Sequence, residues 1–311
     1  MGVGRNALLW SSRNTWLREQ VPRLPFVRRA VLRFMPGETL DSALDVAREF
    51  GRRGLPTTFT HLGENVGSQA DAGAVVRHYM DALDRVAEAG VDSEISVKPT
   101  HLGLELDPGL ASDYLLRLAR AASERTNWLW IDMESSAYVE GTLQLYRRAL
   151  EASPNVGVCL QAYLRRTAND IEQLLPLTPS IRLVKGAYRE PAGLAFGKKA
   201  AIDRNYLELS ERLLAERGAG RLRRFAVATH DLGLVSRVAA AATAAGLPPN
   251  EAYEVQMLYG IRQADQFGLA ASGQPTRCLV AYGPAWYPWY MRRLAERPAN
   301  VGFVLRNLFS R

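Results

Sequence analysis

Eight short runs of β-prone residues recur along the chain after Pro36, and each is followed by an amphipathic stretch. The runs start about 31 residues apart on average, a spacing that suits a repeated strand–helix unit. Several runs, such as Phe225-Ala-Val-Ala228, are apolar on both faces, as buried parallel strands are. The eight runs span residues 57–66, 93–98, 128–133, 156–163, 181–188, 224–230, 253–258 and 276–282.

The stretches between the runs have helical periodicity. Residues 70–89, for example, place Val75, Tyr79 and Leu83 on one face. Eight alternations in one chain favour an α/β fold of the (β/α)8, TIM-like type over an open doubly wound sheet. The only G-x-G-x-x-A pattern begins at Gly2, where no strand precedes it. We therefore predict a helical arm over residues 1–50 and a barrel over residues 51–311.

Composition narrows the class of protein further. The chain has 311 residues, 47% of them hydrophobic and 23% charged, which is typical of a globular protein with a sizeable core. Cys159 and Cys278 lie in apolar runs and are predicted to be buried free thiols. Four histidines without an H-E-x-x-H pattern predict no metal centre. Because no apolar run is long enough for a membrane span, we expect a cytoplasmic protein.

The positive charge is concentrated at one end of the chain. Seven arginines and one acidic residue fall within the first 36 residues, while the whole chain carries a net charge of +7. The remainder is nearly neutral, so we expect no nucleic-acid partner. Aromatic residues such as Trp10 and Trp16 alternate with the arginines, which suits either packing on the barrel or peripheral contact with an anionic membrane. A cleaved transit peptide is a third interpretation.

Barrel enzymes carry their chemistry at the carboxyl ends of the strands, and polar residues cluster there in this sequence. Lys98, at the end of the second run, needs a carboxylate partner or a bound anion, or else serves as a Schiff-base lysine. Asp132 is a candidate general base or ion-pair partner, and Arg182 is a cation inside a strand that needs an electron-rich neighbour. The pair Arg292-Arg293 is suited to bidentate binding of a carboxylate.

Seven motifs occur in an order that resembles the proline dehydrogenase family, in its monofunctional bacterial form, over about residues 57–305. The resemblance implies a distorted barrel with non-covalent FAD, oxidation of L-proline to Δ1-pyrroline-5-carboxylate by hydride transfer from C5 to flavin N5, and a membrane quinone as acceptor. It also implies delivery of the product to a separate pyrroline-carboxylate dehydrogenase. The motifs are Ile95-Ser-Val-Lys98, Ile131-Asp-Met-Glu134, Gln161-Ala-Tyr163, Arg182-Leu-Val-Lys-Gly-Ala-Tyr188, Ala228-Thr-His230, Gln256-Met-Leu258-Tyr-Gly260 and Arg292-Arg293-Leu-Ala-Glu296.

The resemblance also implies roles for individual residues. Lys98, Arg292 and Arg293 would bind the substrate carboxylate, and Asp132 would position this basic cluster. Arg182 would lie near flavin N5, with Gln161 at the edge of the ring. The remaining assignments are Met133, Lys185, Gly186, Ala187, Thr229 and His230 along the FAD, Tyr188 and Leu258 as walls of the site, and Glu64 paired with Arg292 as a lid contact.

Two positions depart from the family pattern. Leu279 and Trp289 stand where the family usually has tyrosines that pack around the substrate ring. 4-Hydroxyproline or pipecolate is therefore an alternative substrate for the same chemistry. Two other classes of function stay open: a Schiff-base lyase or aldolase built on Lys98, and a catalytically idle barrel that binds a membrane surface or a partner through its basic arm.

Overall fold

The computed structural model describes the backbone of residues 31–296 and the side chains of residues 31–291. Eight parallel strands, β1 to β8, close into a barrel in sequence order, as the repeated pattern predicted. The strands are β1 (Thr57–His61), β2 (Ser93–Val97), β3 (Leu129–Ile131), β4 (Val156–Gln161), β5 (Ser180–Val184), β6 (Arg224–Ala228), β7 (Glu254–Leu258) and β8 (Thr276–Tyr282).

Helices connect the strands on the outside of the barrel. Within the described residues they are α1 (Leu40–Gly51), α2 (Gln69–Ala89), α3 (Pro108–Glu124), α4 (Val139–Ala152), α5 (Thr167–Leu174), α6 (Lys199–Gly218), α7 (Leu232–Ala244), α8 (Pro249–Ala252), α9 (Gln263–Ala271) and α10 (Trp286–Glu296). None of them is long and apolar enough to cross a membrane.

Side chains alternate between the two faces of each strand. Ile95 and Val97 of β2 are fully buried in the hydrophobic layer between strands and helices, as is Ile131 of β3. The intervening positions therefore point into the barrel, and Ser96 of β2 lies in register beside Trp130 of β3. Because of this alternation, the polar residues of the strands face the interior of the barrel.

The predicted arm overlaps the described residues only in part. Helix α1 begins after Thr39, whose side chain accepts a hydrogen bond from the backbone N–H of Ser42. Its Phe50 ring packs against Tyr259 and Phe267, with ring centroids 5.8 and 5.0 Å away. This end of the arm is thus part of the barrel's apolar packing. Residues 1–30, which hold the predicted basic aromatic stretch, lie outside the described residues.

Several strands end earlier than their sequence runs suggested. β2 stops at Val97 because Pro99 has no N–H to donate and begins a 3-10 turn. β5 stops at Val184, and Gly186 follows with a φ of 111°. The chemically important residues Lys98, Asp132 and Lys185 therefore lie just past the ends of their strands. Cys159 and Cys278 are buried free thiols, as predicted.

Candidate active site

Lys98, Asp132 and Arg182 form one ion network at the carboxyl end of the barrel. The Asp132 carboxylate accepts from Lys98 Nζ at 3.3 Å through one oxygen and from Arg182 Nη1 at 3.1 Å through the other. Ser96 Oγ donates to the same carboxylate at 2.8 Å and accepts from Arg182 Nη1 at 3.0 Å. Three neighbouring groups thus hold Asp132, and two of them are cations.

Lys98 is held in its charged form. Burial by itself lowers the pKa of this amine, but the carboxylates of Asp132 and Glu64 outweigh burial and raise it. Thr60 Oγ1 is a further neighbour of the ammonium, at 3.5 Å. A charged, buried lysine with one direct carboxylate partner among the described residues is suited to binding an anion, whereas a Schiff-base lysine must reach its neutral form.

Two side chains at the site have polar atoms without a partner. Nε and Nη2 of Arg182 are buried and find no hydrogen bond among the residues that the structure describes, and the same holds for Oε1 of Gln161. The amide nitrogen of Gln161 is occupied, since it donates to the carbonyls of Met133 and Glu134. Buried polar atoms are rarely left unpaired in folded proteins. These donors and this acceptor therefore fit a planar bound group that offers both acceptors and donors.

The segment after β5 forms one wall of the site. Gly186 has a φ of 111°, and a Cβ at this position would lie 2.2 Å from the Tyr163 ring, so the close approach requires glycine. Tyr188, two residues later, donates through its hydroxyl to Glu64 at 3.2 Å. Glu190 accepts from the Ser136 backbone N–H at 2.8 Å and ties this segment to the loop after β3.

Lys185 makes two ion pairs. Its amine lies 2.6 Å from Asp203 and 3.0 Å from Asp231, so its charge is shared between two carboxylates. Ala187 follows it in the same half-buried segment.

The loop after β6 is fixed by its own hydrogen bonds. Nε2 of His230 accepts from the Leu258 backbone N–H at 2.9 Å, which leaves the other ring nitrogen as the protonated one in the neutral form. Thr229 Oγ1 accepts from the Asp231 N–H at 3.2 Å. The ends of β6 and β7 are thereby locked to each other.

Leu279 and Trp289, the two positions that depart from the family pattern, have different surroundings: one faces the barrel interior and the other lies in an apolar cluster. Leu279 lies on the inner face of β8 and stays partly exposed, as does Leu258 of the neighbouring strand. Trp289 is buried in a second apolar cluster with Phe34 and Leu62. Its neighbour Tyr290 is buried there too.

Arg292 and Arg293 lie by their backbone in the second half of helix α10, which begins at Trp286 and includes Pro288 in its first turn. Their side chains are outside the described residues, and so is the expected contact between Glu64 and Arg292. In the part of the chain whose side chains are described, no group of three or more His, Cys, Asp or Glu is arranged to hold a metal ion.

Comparison with known proteins identifies the family. A family model described as proline dehydrogenase matches residues 43–306. Proline dehydrogenase 1 of Bacillus subtilis subsp. natto is 36% identical over 307 residues, which is 99% of each chain. The chain belongs to the proline dehydrogenase family. It is an oxidoreductase that acts on proline, in proline catabolism.

A further relative matches the chain in sequence, and a solved structure matches it in fold. The proline dehydrogenase of Deinococcus radiodurans is 34% identical over 281 residues, 89% of each chain. The crystal structure of proline utilization A from Bdellovibrio bacteriovorus superimposes with a TM-score of 0.80 at 22% identity. This match covers 94% of the present chain and 36% of the larger protein, so the chain spans about a third of it.

Sequence reasoning missed two interior residues that contact the network. Ser96 bridges Asp132 and Arg182, and the Trp130 ring lies under the Arg182 guanidinium, 4.5 Å from ring centroid to Cζ. Each stands two residues before a predicted site residue, Lys98 or Asp132, and therefore on the same face of its strand. This spacing was the signal available in the sequence.

Proposed function

We propose that this proline dehydrogenase binds FAD non-covalently and oxidises L-proline to Δ1-pyrroline-5-carboxylate. The observation that carries the proposal is the set of unpaired buried atoms on Arg182 and Gln161, which suits the mixed acceptors and donors of an isoalloxazine ring. The chemistry that FAD supplies when bound is acceptance of the C5 hydride at N5 and passage of the electrons to a quinone.

The residues of the chain would bind and orient the substrate. Lys98, with Arg292 and Arg293 from α10, would fix the proline carboxylate and so hold C5 in one place. Asp132 would keep Lys98 and Arg182 at a fixed distance from each other, because it accepts from both. Arg182 would place positive charge where the reduced ring develops negative charge. Tyr188, Leu258 and Leu279 would enclose the substrate ring, and Glu64 would close over it with Arg292.

Other residues would line the cofactor. Met133, Lys185, Gly186 and Ala187 come from the loops after β3 and β5, and Thr229 and His230 from the loop after β6. Parallel strands end at one mouth of a closed barrel, so these loops share one face. The catalytic unit would be residues 51–311, preceded by the arm of residues 1–50.

The pH dependence should follow the substrate amine. Proline must lose its ammonium proton before the C5–H bond can break toward the acceptor, so turnover should rise with pH until the amine is neutral. Lys98 would stay charged over this range because Asp132 and Glu64 raise its pKa despite burial. Its charge makes a role as a Schiff-base nucleophile the weaker alternative.

The electron acceptor and the product set the expected partners. A membrane quinone would approach the same mouth of the barrel, and the basic residues of the arm would provide peripheral contact with the inner face of the membrane. The product would pass to a pyrroline-carboxylate dehydrogenase. The bifunctional protein PutA of Escherichia coli is a relative that matches this chain over 24% of its own length. Its bifunctional name is consistent with a link between proline oxidation and the next enzyme.

A visible spectrum of the purified protein tests the proposal. We expect a flavin band that bleaches when L-proline is added without oxygen. Arg182→Met should lose most of the bleaching rate, while the matched surface variant Arg204→Met should bleach like the wild type, because Arg204 lies on the outside of α6. A colourless protein that FAD cannot reconstitute would refute the proposal. It would favour the alternative of a Schiff-base lyase built on Lys98.

The same anaerobic bleaching assay tests which amine is preferred. Leu279 is partly exposed on the inner face and lacks a hydroxyl, so it leaves room beside the substrate ring. We expect L-proline to bleach the flavin faster than 4-hydroxy-L-proline or L-pipecolate. A reversed order would make Leu279 the position that changes specificity, and Leu279→Tyr should then restore the preference for proline.

A further inference from the structure

We propose that Trp130 is a positioning residue for the flavin reaction, which acts by holding the Arg182 guanidinium and is itself anchored by Glu94. This inference rests on the proposed FAD-dependent function. Trp130 is fully buried, although Asp132, the next inward-facing residue along the chain, stays partly exposed. The indole therefore lies below the reacting mouth of the barrel and out of contact with solvent.

The contact between Trp130 and Arg182 is direct. The guanidinium carbon lies 4.5 Å from the centroid of the indole ring, within the range of a cation–π interaction. Asp132 and Ser96 bind only one of the guanidinium nitrogens, Nη1. A guanidinium held at a single nitrogen is free to pivot about it. The indole face restricts this motion and keeps Nε and Nη2 at a constant orientation toward the cofactor.

Glu94 holds the indole in place. Its carboxylate accepts from Trp130 Nε1 at 2.6 Å through one oxygen and from Arg224 Nη1 at 2.7 Å through the other. Arg277 lies 3.5 Å from the same carboxylate and also pairs with Glu254 and Asp92. Both carboxylate oxygens of Glu94 are thus engaged, so this side chain is held in place and offers the indole a fixed acceptor.

Gly157 makes room for the indole from the neighbouring strand. A Cβ at this position would lie 2.4 Å from Cζ3 of Trp130, so any larger residue would push the ring out of its place. The indole is thus fixed by a hydrogen bond at one edge and by close packing at another. The position of the indole, and through it the orientation of the Arg182 guanidinium, therefore depends on Glu94 and Gly157, which contact neither the substrate nor the cofactor in the proposed function.

The nearby Trp128 supplies a matched control. Its ring contacts Arg224, with the guanidinium carbon 4.5 Å from the ring centroid, and Trp130 also contacts Arg224 at 5.3 Å. Trp128 Nε1 has no hydrogen-bond partner among the described residues. The cation that lies over this ring is Arg224, whereas Arg182 lies over Trp130. The Trp128 ring also lies beside Trp130, with 6.4 Å between ring centroids, so a substitution at Trp128 perturbs the same surroundings while the indole under Arg182 and its hydrogen bond to Glu94 are kept.

The test compares Trp130→Phe with Trp128→Phe in the holoenzyme. Because Arg182 favours the reduced, anionic ring, Trp130→Phe should bind reduced FAD about tenfold more weakly relative to oxidised FAD. That ratio corresponds to a two-electron reduction potential about 30 mV more negative. The rate of flavin reduction should fall about tenfold with the KM for proline within twofold of the wild type, and Trp128→Phe should change neither quantity.

A second substitution separates positioning from folding. 5-Fluorotryptophan at position 130 keeps the shape and the N–H of the ring but withdraws electron density from its face, which weakens a cation–π contact. The potential should again become more negative, and the same label at position 128 should leave it unchanged. An unshifted potential in both the phenylalanine and the fluorinated protein would overturn the proposal. A wild-type protein that never binds FAD would instead refute the proposed function.

Discussion

Replacing Asp132 with asparagine should move the pH at which this proline dehydrogenase loses its affinity for proline. The carboxylate is the nearest anion to both Lys98 and Arg182, at 3.3 and 3.1 Å. Once it is neutral, burial dominates at Lys98 and its pKa falls. In Asp132→Asn the ammonium should therefore lose its proton at a lower pH than in the wild type, and the proline carboxylate should lose one of its cations there.

The magnitude follows from the burial of the network. The side chains of Lys98 and Arg182 are 9% and 3% exposed, and that of Asp132 is 18% exposed. Removing one partner from a buried ion pair costs about 3–5 kcal/mol. We place this variant at the lower end, because the Ser96 hydroxyl and the partial exposure of Asp132 soften the loss. A loss of about 3 kcal/mol in the free energy of unfolding is expected.

The assay is the KM for proline across the alkaline range, together with urea unfolding. Glu216→Gln is the matched control, since Glu216 is a 3% exposed carboxylate that binds two arginines, Arg212 and Arg221, on the outside of the barrel. It should also lose stability but keep the wild-type dependence of KM on pH. If the KM–pH profile of Asp132→Asn superimposes on that of the wild type, Lys98 does not depend on Asp132 for its charge and the reasoning is wrong.

Three further predictions concern single buried groups. Burial, with the nearby charge of Glu64, raises the pKa of Glu134 to about 7, so wild-type stability should decline by roughly 3 kcal/mol as pH rises from 4.5 to 7. Glu134→Gln should abolish that decline in urea unfolding at pH 5 and pH 8; an unchanged slope would contradict it. Burial, with the nearby charges of His61 and Lys98, lowers the pKa of His101 to about 3, so the folded protein keeps this ring neutral while the unfolded chain protonates it below pH 6.5. Stability should therefore fall as pH drops from 6.5 to about 3, and His101→Leu should unfold at a lower pH in an acid titration by circular dichroism. Gly186→Ala should weaken FAD binding at least tenfold, measured by fluorescence titration, because the φ of 111° and the Tyr163 ring leave no place for a methyl group. If the variant binds FAD with wild-type affinity, the close approach of Gly186 to Tyr163 does not matter for the cofactor.

The sequence predicted the barrel because each strand–helix unit carries its own periodicity. It also placed Lys98, Asp132 and Arg182 near one another, since the ends of parallel strands meet at one mouth of a barrel. The partners within the strands were harder to predict. A serine at position 96 or a tryptophan at position 130 looks like an ordinary strand residue until the register shows that it faces inward. Strand ends were overestimated for a related reason, because polar residues continue the β-prone pattern after the ladder has stopped.

The two ends of the barrel interior contain the same kinds of charged residue in different balance. At the amino-terminal end, Arg224 and Arg277 meet the carboxylates of Glu94 and Glu254, and each charge has a partner of opposite sign. At the carboxyl end, Lys98 and Arg182 share the single carboxylate of Asp132 as their direct ion-pair partner, and two guanidinium nitrogens are left without partners among the described residues. Buried cationic donors that lack acceptors are costly unless an anion or another acceptor joins them. In the proposed function, the mouth of the barrel is therefore the end at which the carboxylate of proline, and a flavin that becomes anionic on reduction, would be stabilised.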